Sequence, residues 1–240
     1  MPSVLSRLVS KLVLKLGQYY YSVLACFYLF WRWIRTRGAA LQFKERQMPK
    51  KLLDNYTHKY IVLPSGINMH YVEAVVPGAP SAPLMVMIHG YPEFWYSWRF
   101  QIDHFKDRYR VVAIDQRGYG ESSKPLNITD YGIALLTKDI DDLIHELAAR
   151  WKMLYAFNCT NAGYNSAVVI GHDWGGAVAW RHALSYPQSV DRLIVCNCPH
   201  PAAFAAMLRT NEQQRSNSWY MIFFQTRAFP KLRLRRMISW

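Results

Sequence analysis

Three apolar runs constrain this chain most: "LMVMIH" from Leu84, "RVVAID" from Arg110 and "SAVVI" from Ser166. None alternates apolar with polar residues. A strand with such a run is buried on both faces, the environment of a parallel sheet covered by helices. A fourth strand-like run, "VDRLIVCN", starts at Val190. Between the runs lie the helix-spaced segments "FWYSWRFQIDHFKDR", "DYGIALLTKDIDDLIHELAARW" and "GGAVAWRHALSYP". In the second, acids stand opposite the apolar face. Strands alternating with helices imply an α/β class with a mostly parallel sheet. Upstream, "HKYIVL", Pro64-Ser65-Gly66 and "INMHYVEAVV" predict an antiparallel hairpin, followed by a loop over Gly78–Pro83.

Two turns stand at the carboxyl ends of neighbouring strands, where sites form in such sheets. One is His89-Gly90-Tyr91-Pro92-Glu93 and the other is Gly171-His172-Asp173-Trp174-Gly175-Gly176. Gly171 and Gly175 flank Asp173 as glycines flank the nucleophile of a sharp strand-to-helix elbow, usually a serine. The elbow lifts its central side chain above the sheet, beside a helix N-terminus that favours an anion. The backbone N–H of Trp174 and that of Tyr91, in the loop after the third strand, are candidate oxyanion donors.

A carboxylate at the centre of that turn changes the chemistry. It is a poor reagent for amides but attacks a strained or activated sp3 carbon, giving an ester of the enzyme. Water then attacks the ester carbonyl, whose oxygen is Asp173's own. Epoxides and alkyl halides fit this scheme. The structural alternative is that Asp173 only caps the following helix, a role for which Asp is favoured.

The stretches "HGYPEFWYSWRFQI", "YRVVAIDQRGYGESSKP", "VVIGHDWGGAVAW" and "NCPHP" together resemble the epoxide hydrolase branch of the α/β-hydrolase family over about residues 58–230. With its apolar N-terminal segment the chain is similar to the membrane-anchored animal epoxide hydrolase 4 group. The resemblance implies Asp173 as nucleophile and Tyr91 and Trp174 as backbone oxyanion donors. It implies His89, Gly90, Pro92, Gly171 and Gly175 as the supporting turn. The reaction implied is conversion of a lipophilic epoxide to a vicinal diol, without metal or cofactor. Arg117, Gly118 and Gly120 form a tight turn in this reading, since no G-x-x-x-x-G-K-[ST] is present.

Two departures from the family pattern stand out. The segment Ala149–Ala162 reads as an insertion before the nucleophile strand. The family order is nucleophile, lid with tyrosine proton donors, acid, then histidine, and Trp240 lies only 67 residues after Asp173. The expectation is therefore an incomplete α/β-hydrolase fold, stopping as the lid begins, without the catalytic histidine, its acid or the lid tyrosines, and inactive as it stands. Its divisions are an anchor and basic linker over 1–50, a core over 51–205 and the start of a lid over 206–240. His200 belongs to "NCPHP" and does not match the base. A haloalkane dehalogenase-like enzyme, for which Trp174 would suit a halide, and a non-catalytic membrane-tethered binding fragment are the rival functions.

Charge bears on partners. The chain carries a net +13, but residues 1–50 alone hold nine Lys/Arg against one Glu, and residues 227–240 hold five against none. The balance between them is neutral, which argues against a basic face for nucleic acid. The run "YYYSVLACFYLFW", extended to Leu12–Ile34, is long enough for a membrane anchor with its charges near the ends. An interfacial helix and a signal peptide are the alternatives. The heavier cationic flank after the run places the main domain in the cytosol, on an endoplasmic reticulum membrane. Sequons at Asn55, Asn127 and Asn158 matter only on the luminal side. The four cysteines show neither zinc spacing nor a disulfide framework.

Overall fold

Val86 lies opposite Val112 on one flank and Val169 on the other, in the middle of a six-stranded sheet. The computed structural model describes residues 4–37, 56–75, 82–155 and 165–224. Among these the strands are β1 (Thr57–Val62), β2 (Asn68–Ala74), β3 (Leu84–Ile88), β4 (Arg110–Ile114), β5 (Ala167–His172) and β6 (Val190–Cys196). The helices are α1 (Val4–Arg35), α2 (Arg99–Phe105), α3 (Ile133–Tyr155), α4 (Trp174–Ser185), α5 (Pro201–Thr210), α6 (Glu212–Asn217) and α7 (Trp219–Phe224). The strand order is β1-β2-β4-β3-β5-β6. β3 pairs in parallel with β4 and β5, and β5 with β6. β1 and β2 form the expected antiparallel hairpin, and β2 joins β4 antiparallel. The expected α/β class with a mostly parallel sheet is what forms.

The strand period of two explains the layering. Leu84, Val86 and Ile88 face one way, onto Ile140, Leu143, Ile144 and Leu147 of α3 and Val178 and Ala179 of α4. Met85 and Met87 face the other way, onto Trp95, Trp98 and Ile102. Every residue of β3 and β4 is buried, including Arg110 at the start of β4, whose guanidinium pairs with Glu73. Each fully buried aliphatic side chain contributes about 1.5–3 kcal/mol. The expected helix over "FWYSWRFQIDHFKDR" divides into a 3-10 turn, Trp95–Trp98, and α2.

Two expectations need correction. The acids of α3 do not face solvent: Asp139, Asp141 and Asp142 are buried. Arg117 donates to both Asp139 oxygens at 2.7 and 2.8 Å and Lys138 pairs with Asp142, while Asp141, whose buried Oδ1 accepts no hydrogen bond, lies 3.7 Å from Lys138 and 3.6 Å from His145. The second correction concerns the membrane anchor over 12–34. No helix among the described residues is long and apolar enough to cross a membrane. The stretch of α1 without a charged residue runs only from Leu16 to Trp31, roughly 24 Å at 1.5 Å per residue against about 30 Å of hydrocarbon. Gly17, Gln18, three consecutive tyrosines and Ser22 dilute it further.

The supposed insertion lengthens α3, which continues through Trp151 to Tyr155. Trp151 is buried under the Arg110 guanidinium, 4.2 Å from the ring centroid. The rest of that segment, with Asn158, Cys159 and also Asn55, lies outside the described residues. The chain separates into two units, residues 48–201 and residues 1–47 with 202–240. The first holds the sheet. In the second, the Trp219 ring of α7 lies 5.2 Å from that of Tyr21 on α1.

Candidate active site

β3 and β5 end side by side, with Ile88 opposite Gly171, so the turns that follow them are neighbours. Asp173 joins β5 to α4 in the left-handed region, at φ 51° and ψ −121°. A non-glycine residue held there costs about 1–3 kcal/mol and is a mark of function. The elbow is also crowded. A Cβ on Gly171 would lie 2.5 Å from the Gly175 oxygen, and one on Gly175 would lie 2.3 Å from the oxygens of Ile88 and His89. These contacts explain both glycines.

Asp173 does not cap α4. Its side chain makes no cap hydrogen bond. Instead Oδ1 accepts the Tyr91 N–H at 3.0 Å, across 82 positions of sequence. The Asp173 N–H donates to the Cys196 carbonyl at 3.1 Å, which fixes the elbow to the end of β6. Trp174 opens α4, where a helix N–H has no carbonyl one turn back to bond. The two expected donors and the expected nucleophile thus come from adjacent turns.

The loop bearing Tyr91 is held from below. His89 is fully buried; its Nε2 accepts the Gln116 N–H at 3.1 Å, so its Nδ1–H donates to the Gly90 carbonyl at 2.8 Å. Burial pushes the His89 pKa down and keeps the ring neutral. The Gln116 amide donates to the His89 carbonyl at 2.6 Å. The Tyr91–Pro92 peptide is cis. Tyr119 packs edge-on against His89, and burial first, then Tyr91 and Asp173, push its phenol above the ordinary value. Arg117, Gly118 and Gly120 do form a tight turn, with Gly118 and Gly120 at positive φ.

A family model for the alpha/beta hydrolase fold matches residues 83–227, which contain both turns. The chain belongs to the α/β-hydrolase family. Among relatives of this α/β-hydrolase, Epoxide hydrolase 1 of Caenorhabditis elegans is 41% identical over 228 residues, covering 95% of this chain and 52% of that protein. Epoxide hydrolase 4 of Homo sapiens is 40% identical over 205 residues, 83% of this chain and 52% of that protein. The chain spans about half the length of the curated relatives it matches. An epoxide hydrolase variant from Bacillus megaterium, complexed with a propane-1,2-diol product, superposes with a TM-score of 0.60 at 33% identity, over 76% of this chain and 66% of that one. Among α/β-hydrolases the chain is epoxide-hydrolase-like.

Sequence reading assigned no part to Glu93, His172 or Asn197, although all three lie in motifs it had singled out. Glu93 Oε2 accepts the Gly90 N–H at 2.9 Å and lies 3.1 Å from His172 Nδ1. Burial alone would raise the Glu93 carboxyl; the Gly90 N–H and the His172 ring outweigh it and hold it below its ordinary value. The available signal was that Glu93 stands three residues beyond Gly90, the reach at which a side chain closes a turn on a backbone N–H. Among the described residues no group of three or more His, Cys, Asp or Glu is gathered so as to hold a metal ion.

Proposed function

We propose that this chain supplies the nucleophile and oxyanion loop of an α/β-hydrolase that opens epoxides through an ester on Asp173. The observation that carries the reading is the Tyr91 N–H on Asp173 Oδ1 at 3.0 Å. With Oδ1 occupied, Oδ2 is the free nucleophile. It attacks an epoxide carbon, the carbon–oxygen bond breaks, and the ring oxygen takes a proton from solvent water. Oδ1 is then the carbonyl oxygen of the ester. When water adds to that carbonyl, negative charge develops on Oδ1, where the Tyr91 N–H already lies, and Trp174 at the helix start supplies the second donor. Collapse breaks the Cγ–Oδ2 bond, a proton of the attacking water passes to Oδ2, and the diol leaves with the former Oδ2 while the water oxygen stays on Asp173. One such donor is typically worth about 10²–10³-fold in rate. The names of the relatives support the substrate class.

The test is rapid quenching with a styrene-oxide-type substrate and mass analysis of the peptide containing Asp173. An adduct of substrate mass there, absent from Asp173→Ala, is expected. Labelled oxygen from water should enter Asp173 as the adduct breaks down. An unmodified Asp173 with undiminished diol formation overturns the reading. A halide released from haloalkanes with no attack on epoxides would favour the dehalogenase chemistry instead.

For α1 we propose a membrane surface. Exposed Leu12, Leu16, Val23, Phe27 and Trp31 recur at helical spacing, and Lys15, Arg32 and Arg35 flank them. That composition suits a helix lying in the headgroup region. Co-flotation with anionic vesicles, reduced by Phe27→Glu with Trp31→Glu, is the expected result; flotation unchanged by these substitutions refutes it.

A further inference from the structure

The 3.0 Å contact between Tyr91 and Asp173 is tethered on both sides by one chain of polar contacts. On the Tyr91 side, the preceding residue, Gly90, donates its N–H to Glu93 Oε2 at 2.9 Å, and the Glu93 N–H donates back to the Gly90 carbonyl at 3.2 Å. On the Asp173 side, the preceding residue is His172, whose Nδ1 lies 3.1 Å from the same Glu93 oxygen. His172 Nε2 lies 3.1 Å from the Asn197 side-chain nitrogen, just past β6. Asn197 holds the left-handed region, φ 55°, which Asn tolerates better than most residues. The ends of β3, β5 and β6 are therefore joined by three side chains, none of which touches Asp173 Oδ1.

The chemistry of the ring fixes the arrangement. A neutral imidazole has one donor and one acceptor nitrogen. With the proton on Nδ1 it donates to Glu93 while Nε2 accepts from the Asn197 amide, so a single neutral tautomer satisfies both contacts. The ring is thus held between Glu93 on the β3 loop and Asn197 beyond β6, each at 3.1 Å.

We propose that Glu93, His172 and Asn197 form a brace that holds the Tyr91 N–H on Asp173 Oδ1, and that they are positioning residues for breakdown of the ester. The proposal rests on Asp173 being the nucleophile. A loop free to drift would carry Tyr91 away from Oδ1 and so weaken the stabilisation of charge in the second step more than the first attack, which uses Oδ2.

Two readouts test it. In the chain labelled with nitrogen-15, His172→Phe and Glu93→Gln, which keeps the size of the side chain, should each shift the Gly90 and Tyr91 amide resonances and speed hydrogen exchange of the Tyr91 N–H on the order of tenfold. Asn197→Ala, which alters no side chain of the Tyr91 loop, should do the same from the end of β6. Tyr91 exchange unchanged in all three variants overturns the brace. In rapid quenching, His172→Phe and Glu93→Gln should slow breakdown of the Asp173 adduct on the order of tenfold while its formation changes less; equal effects on both steps, or none, overturn the positioning role. Absence of any adduct from the unsubstituted protein would sink the nucleophile reading, and with it the positioning role, while the exchange measurement still decides the brace.

Discussion

A Cβ on Gly90 would lie 2.7 Å from the Cβ of Asp173. The nucleophile turn and the oxyanion loop are thus in contact at backbone distance, and Gly90 is the residue that permits it. Gly90→Ala should cut the rate of ester formation and breakdown at least tenfold, because a shift of even one ångström at a reacting group is costly. Quenched-flow adduct kinetics check this; unchanged kinetics would mean that the two turns are free to separate.

Asp173 is strained at φ 51° and forms no cap bond. Asp173→Gly should therefore leave stability unchanged or raise it by up to about 1 kcal/mol, since glycine adopts positive φ without penalty. The same substitution removes the adduct. Urea unfolding compared with Asp173→Ala gives the measurement, and a clear destabilisation by glycine would show that the carboxylate serves the fold.

Arg117 and Asp139 form a buried pair, with Arg117 Nε and Nη2 on the two carboxylate oxygens and Nη1 donating to the Asp130 carbonyl at 2.9 Å. Removing one partner leaves an uncompensated buried charge, typically worth 3–5 kcal/mol. Asp139→Ala should lower the unfolding free energy by about that amount. A loss below about 1 kcal/mol would imply that water replaces the carboxylate.

Asp115 makes stability depend on acid. Burial would raise its carboxyl, but bonds from His70, from the Trp95 N–H and from the Glu121 N–H prevail and hold it below its ordinary 3.8. A depressed carboxyl contributes stability that is fully present above the unfolded value and is lost as pH falls through the folded one. Stability should therefore decline below about pH 3.8, and Asp115→Asn should flatten that decline while lowering stability at neutral pH.

His89 acts at a higher pH. Its folded pKa lies below 6.5, so the unfolded chain takes up a proton first and stability falls as pH drops below 6.5. The slope from one such group reaches at most about 1.4 kcal/mol per pH unit. Denaturant melts between pH 7 and 5 should show this slope reduced in His89→Gln. An identical slope in both would place the titration elsewhere.

The centre of the sheet and both turns were legible because local rules govern them. An uninterrupted apolar strand has few other places to go, and glycines around a polar residue mark a sharp elbow. The burial of Asp139 is not written in the periodicity because its partner, Arg117, comes from another loop, whereas Asp141 and Asp142 are met by Lys138 and His145 of their own helix. Glu93, His172 and Asn197 were unreadable as a set, since their contacts exist only when three strand ends lie side by side. The N-terminal segment was misjudged by counting apolar residues without asking how far they reach between Lys15 and Arg32.

The sheet order also sets when the site can come into being. Tyr91 follows β3, Asp173 follows β5, and the carbonyl that receives the Asp173 N–H belongs to Cys196 at the end of β6. No chain emerging from a ribosome can assemble this group until residue 196 is free to pair. By then β3, β4, α2 and α3 have had time to associate through contacts nearer in sequence, which close faster. The nucleophile should thus be a late product of folding, its strained elbow set after the scaffold beneath it.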